Sequence, residues 1–133
     1  MMGAVESPRF YTIDEAQRTL PLVRRIVSDI VASAADLKRK EAALARRDSA
    51  EARDEIELLL ARLKKYALEL DGLGIELKDP LTGLIDYYWK RGDDTVLLCW
   101  KHGEGEIGHW HDLESGYAGR RPLEAVDYSL DAR

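Results

Sequence analysis

Cysteine is almost absent from this chain, with one residue, Cys99, in 133. A lone cysteine excludes an internal disulfide, so nothing in the sequence points to an oxidising compartment. Long apolar runs are missing too. None approaches the ~20 residues needed to cross a bilayer. No basic stretch leads into an apolar core at the N-terminus, so no secretory signal is expected. The expected location is the cytoplasm, with no membrane partner. Positive charge is in deficit: 20 Lys and Arg against 25 Asp and Glu give a net charge of −5. A dedicated nucleic-acid binder needs a basic face to neutralise phosphates, so that class is disfavoured.

What is present is globular. Hydrophobic residues make up 45% and charged residues 34% of the chain, which gives one domain, residues 1–133, enough apolar surface for a core. Loose structure is expected at the ends alone, Met1 to Pro8 and a tail over 124–133.

The first half reads as helix. Thr12 followed by Glu15 forms a capping box, in which each side chain satisfies the other's backbone N–H. An apolar series then runs Ile13, Ala16, Leu20, Val23, Val27, Ile30, Ala34, Leu37, Leu44, in steps that alternate three and four, with Glu41 as the polar interruption. Pro21 removes one backbone bond within it. A kink is therefore expected, with a short helix near 13–19, Thr19 as a second N-cap and Pro21 in the next first turn. The seam lapses over Arg46 to Ala50, the expected hairpin turn. It resumes as Ala52, Ile56, Leu59, Leu63, Tyr66, Leu70, and Gly72 is the expected left-handed cap. Residues 10–72 thus form an antiparallel helical hairpin.

Beyond Gly72, glycines punctuate short runs rich in Ile, Leu, Val, Tyr and Trp. Strands are expected at 75–78, 84–90, 95–101 and 107–112, with turns at Arg91–Asp94 and His102–Gly105. Val96 to Trp100 is apolar at every position, as a strand covered on both faces would be. The fold class is therefore α+β: a long helical hairpin, then an antiparallel meander of about four strands over 73–123.

Chemistry has two candidate seats. In His109-Trp110-His111, both imidazoles fall on one side of a strand, about 7 Å apart. A divalent transition metal is the cofactor such a pair suggests, with a third ligand to come from Glu104, Glu106, Asp86, His102 or Asp112. The second seat is a polar set, Lys78, Asp79, Asp86, Glu104, His111 and Arg120. A carboxylate beside a histidine can fix its tautomer, and an arginine suits a small anionic ligand. Against this, Asp79 and Asp86 can cap turns while Arg120 pairs with an acid. Cys99, between Leu98 and Trp100, reads as a buried, inert thiol. The aromatics Tyr87, Tyr88, Trp89, Trp100, Trp110 and Tyr117 read as sheet core more than pocket lining.

Several of these residues resemble a known pattern. Phe10-Tyr11-Thr12-Ile13-Asp14-Glu15-Ala16 and Leu20-Pro21 are similar to the opening of the bacterial family named domain of unknown function 2203. So are Lys78-Asp79, Gly83-Leu84-x-Asp86, Cys99-Trp100-Lys101-x-Gly103-Glu104, Trp110-His111 and Gly116-x-x-Gly119-Arg120-x-Pro122. The resemblance spans about residues 10–123. It implies helices first and a sheet after, and no particular activity. It gives weight to Asp86, Glu104, His111 and Arg120, which fall on motif positions, over His109. Tyr87-Tyr88 departs from the pattern, where an aromatic followed by proline is expected.

Two functional readings follow. The apolar seams favour a non-catalytic oligomeric or interaction module, most simply a homodimer through the helices or a complex with a protein partner. The alternative is a metal- or anionic-ligand-binding protein, with or without catalysis, built around His111.

Overall fold

The computed structural model describes residues 8–131. Helix α1 (Ile13–Arg46) opens on the expected capping box: Thr12 accepts from the Glu15 N–H and Glu15 from the Thr12 N–H. It then runs without a break through Pro21 for 34 residues. The expected short first helix is thus overturned, and Thr19 is not an N-cap. Its hydroxyl instead donates back to the Ala16 carbonyl at 2.7 Å, within the turn that Pro21 disturbs, and meets the Tyr87 hydroxyl at 2.7 Å. Tertiary packing of the buried Leu20 and Val23 outweighs one lost backbone bond.

Ser49 caps helix α2 (Ala50–Gly72), which returns antiparallel along α1. The left-handed residue after α2 is Gly74 (φ 78°) and not Gly72, which still belongs to the helix. The exit takes two more residues, with Leu73 as C-cap.

Five strands follow in sequence order: β1 (Ile75–Asp79), β2 (Leu84–Arg91), β3 (Asp94–Lys101), β4 (His109–His111) and β5 (Arg121–Pro122). Every neighbouring pair is antiparallel. The meander expected from sequence is present, extended by the short β5. Gly83 lets the β1–β2 turn press on the helix. Its φ is +71°, and a Cβ there would fall within 3 Å of Val27, Val31 and His102.

Alternation along the strands gives the sheet two buried faces. Ile75, Ile85, Tyr87, Trp89, Val96, Leu98 and Trp100 join Val23, Val27 and Ile30 of α1 and Leu70 of α2 in one core. Cys99, at an alternate position, lies on the opposite face with Asp86 and His111. Among the described residues, no helix is long and apolar enough to cross a membrane.

The C-terminal tail departs from expectation. Ala125–Asp131 form helix α3, held by two acids one turn apart. Buried Asp127 accepts from Arg91 Nε at 2.7 Å, and Asp131 accepts from Trp89 Nε1 at 2.8 Å and from the Ile13 N–H at the start of α1. Residues 1–7, 132 and 133 lie outside the described residues, so the expectation of a loose N-terminus falls largely there.

A candidate metal centre on the far face of the sheet

The turn at Gly92-Asp93 fixes the β2–β3 register, and that register sets Asp86 directly opposite Cys99. On the other side of β3, His109 pairs with Cys99 and His111 with Leu97, so His111 stands diagonal to Cys99 on the same face. Three elements thus deliver a carboxylate, a thiol and an imidazole to one place. One ligand atom from each of Asp86, Cys99 and His111 lies within 4.8 Å of the other two. All three residues are buried, with 1%, 0% and 3% of their surface exposed.

The hydrogen bonds orient the histidine. Nδ1 of His111 lies 2.7 Å from the Asp112 carbonyl oxygen. A carbonyl only accepts, so Nδ1 carries a proton and donates it. Nε2 is thereby turned inward, 3.1 Å from Asp86 Oδ1. In the neutral imidazole that nitrogen presents a lone pair to a protonated Asp86, and in the imidazolium it donates to the Asp86 carboxylate. Backbone anchoring of one ring nitrogen, freeing the other as ligand, is the arrangement that metal-binding histidines use.

Burial governs the proton affinities. It raises the Asp86 carboxyl above the ordinary aspartate range, against the opposing pull of His111. It pushes the Cys99 thiol up to about 12, with the negative charge of Asp86 adding to the effect. A thiol in that state is a poor nucleophile.

The other predicted residues separate into neighbours and bystanders. Arg120 forms a fork on Glu104, with both contacts 2.7 Å, and also donates to the Cys99 carbonyl at 3.1 Å. Glu104 accepts in addition from the Lys101 N–H at 2.8 Å. The bonds from Arg120 hold its carboxyl below the usual range. The pair braces the β3 end of the site, and the Arg120 guanidinium lies close enough to the Cys99 thiol to oppose the rise in its pKa. Tyr117 lies against both Arg120 and Lys101, so the segment after β4 folds back over this end. Lys78 pairs with Glu76 at 2.9 Å on the same face. Asp79 is a turn residue, accepting from the Leu81 N–H and the Thr82 hydroxyl, both at 3.0 Å.

The expected ligands His109, His111 and Glu104 do not converge as a set among the described residues. Only His111 of the three belongs to the one group among the described residues that can hold a metal. Glu104 is committed to Arg120, and His109 Nδ1 is buried with no partner among the described residues. Asp86 was visible as a polar candidate. The apolar neighbours of Cys99 signal burial, which is correct, and that burial places its thiol beside Asp86. The signal was available: equal steps back from Arg91 and on from Asp94 bring Asp86 opposite Cys99.

A family model described as "Uncharacterized conserved protein (DUF2203)" matches residues 9–123, and the chain belongs to that family. No curated protein and no solved structure matches the chain.

Proposed function

We propose that this protein binds a first-row divalent metal ion, zinc by its donor set, through Asp86, Cys99 and His111. The observation that carries the reading is the convergence of three buried donors within 4.8 Å, with His111 held by Asp112 so that Nε2 points inward. One nitrogen, one sulfur and one oxygen donor suit a borderline-soft ion. Three protein ligands leave a fourth position for water or a ligand, the count of a reactive zinc site more than a purely structural one.

Electrostatics supports the same reading. Three ionisable side chains in a dry environment cost several kcal/mol when charged and unpaired. A dication compensates a thiolate and a carboxylate together, and coordination deprotonates the thiol that burial otherwise keeps protonated. The cytoplasmic location expected from the sequence fits, since a reducing compartment keeps a lone thiol free to ligate. Cys99 adds to Asp86 and His111 a third donor that the two histidines alone do not supply.

Metal content tests this. Untagged protein purified without chelator is expected to hold about one zinc per chain, or to take up one on addition. Cys99→Ser and Asp86→Asn should lose it while staying folded by circular dichroism. His109→Ala and Glu104→Gln should keep it. Protein that stays metal-free after zinc addition, or folded Cys99→Ser that binds as well as the parent, would sink the reading.

A further inference from the structure

The helical hairpin is longer than the body it packs on. At 34 residues α1 extends about 50 Å, whereas the eight-residue strands reach about 27 Å. Burial follows the mismatch. In α1 the buried positions stop at Ala34, and in α2 Leu59 and Leu70 are the two buried positions. The seam residues Leu37, Leu44, Ala52 and Ile56 are half-buried and stand outside the main core cluster. The distal hairpin is thus an arm in which two helices cover each other and nothing else. Isolated two-helix packing buries too little apolar surface to be a comfortable end state.

Charge divides the arm lengthwise. From Ala35 to Arg46, α1 carries Lys38, Arg39, Lys40 and Arg46 against Asp36 and Glu41. From Ala50 to Ala61, α2 carries Glu51, Asp54, Glu55 and Glu57 against Arg53 alone. One cross-helix pair, Lys40 with Glu55 at 3.4 Å, spends some of this within the chain. Lys38, Arg46, Asp54 and Glu57 form no ion pair among the described residues. On α2 the acids flank apolar surface: Asp54, Glu57, Leu58 and Ala61 share one open face, and Leu58 is 68% exposed.

We infer that the arm docks on the arm of a second copy, α1 of each against α2 of the other, closing an antiparallel four-helix bundle. A two-fold axis sets each basic half-helix against an acidic one twice over, and it seats Leu58 out of water. A different partner would need its own matching charge split, whereas a second copy carries the complement by construction. The arrangement concerns the helices alone and stands whether or not the sheet site holds metal.

Charge reversal tests it. By sedimentation equilibrium the intact chain is expected to be a dimer at micromolar concentration, weakening as salt rises. Asp54→Lys with Glu57→Lys should weaken dimerisation about tenfold or more, as should Lys38→Glu with Arg46→Glu. An equimolar mixture of the two variants should restore it, because the heterodimer recovers both complementary contacts. Leu58→Ser, at an exposed position that folding does not need, should weaken it without any change of charge. Circular dichroism confirms that each variant is folded. A monomeric intact chain at ~100 μM, reversal variants that dimerise like the parent, or a mixture of folded variants that stays monomeric would each overturn the inference.

Discussion

Both faces of strand β3 are buried, yet they are built from opposite chemistry. Toward the helices, Val96, Leu98 and Trp100 meet Ile85, Tyr87 and Trp89, and the face is dry and apolar. Away from the helices, Cys99 meets Asp86 and His111 in equal dryness. The first face needs no explanation beyond the hydrophobic effect, at about 25 cal/mol for each Å² removed from water. The second works against that effect, because buried polar groups cost free energy unless something satisfies them. Asp86 and His111 meet part of that cost through their bond at 3.1 Å, and the proposed metal ion would meet the rest. The same contrast divides the hairpin, whose proximal half is buried in the core while its distal arm is not.

The contrast can be broken from either face, and the largest effect belongs to the apolar one. Trp100→Ala empties the centre of the core and removes the bond from Nε1 to the Gly105 carbonyl. It is expected to cost about 3–5 kcal/mol in urea denaturation. On the polar face, His111→Ala strands the Asp86 carboxylate without its partner. A loss of about 3 kcal/mol is expected, and Asp86→Leu with His111→Leu should recover most of it, since a nonpolar pair needs no compensation. If His111→Ala leaves stability unchanged, the two faces do not differ as described. Cys99→Ala sharpens the point. It should cost about 1 kcal/mol in metal-free protein, yet abolish the zinc-dependent rise in melting temperature expected of the parent.

The smallest effects are those of pH, and their signs divide the two acids on this side of the sheet. Asp86 has a raised folded pKa, so in metal-free protein its contribution to stability is full below the unfolded value near 4 and is lost as pH rises through the folded value. Glu104 has a lowered one, so its contribution is present above the unfolded value near 4.3 and is lost as pH falls through the folded value. Glu104→Gln should therefore flatten the acid limb of the stability curve, and Asp86→Asn should not. Zinc affinity should rise with pH, because the ion displaces protons from Asp86 and Cys99. Competition against a chromophoric chelator at two pH values checks the direction.

The architecture was legible from sequence because periodicity and punctuation agree there. The three-four seams, the Thr12–Glu15 box and the glycine-bounded strands each state one thing, and the structure follows them. Pro21 misled because one missing N–H is a local penalty, while the packing that carries α1 through it is tertiary. The α3 helix was hidden for the same reason: its anchors are Asp127 and Asp131, bonded to Arg91, Trp89 and Ile13 far back in the chain. For the site, the residue types were visible but their grouping was not. Glu104, His109 and His111 are close in sequence, whereas Asp86, Cys99 and His111 are brought together by register across three strands.

Cobalt substitution tests the central claim most directly. Cobalt(II) takes the same nitrogen and sulfur donors as zinc and reports them in its absorption. Titration of the metal-free protein should saturate at about one equivalent, with a thiolate-to-cobalt charge-transfer band and intense visible bands of a four-coordinate ion. Both should vanish in Cys99→Ser. Weak six-coordinate bands that Cys99→Ser leaves untouched, or no binding at all, would contradict the metal centre and return Asp86, Cys99 and His111 to the status of a buried hydrogen-bonded network.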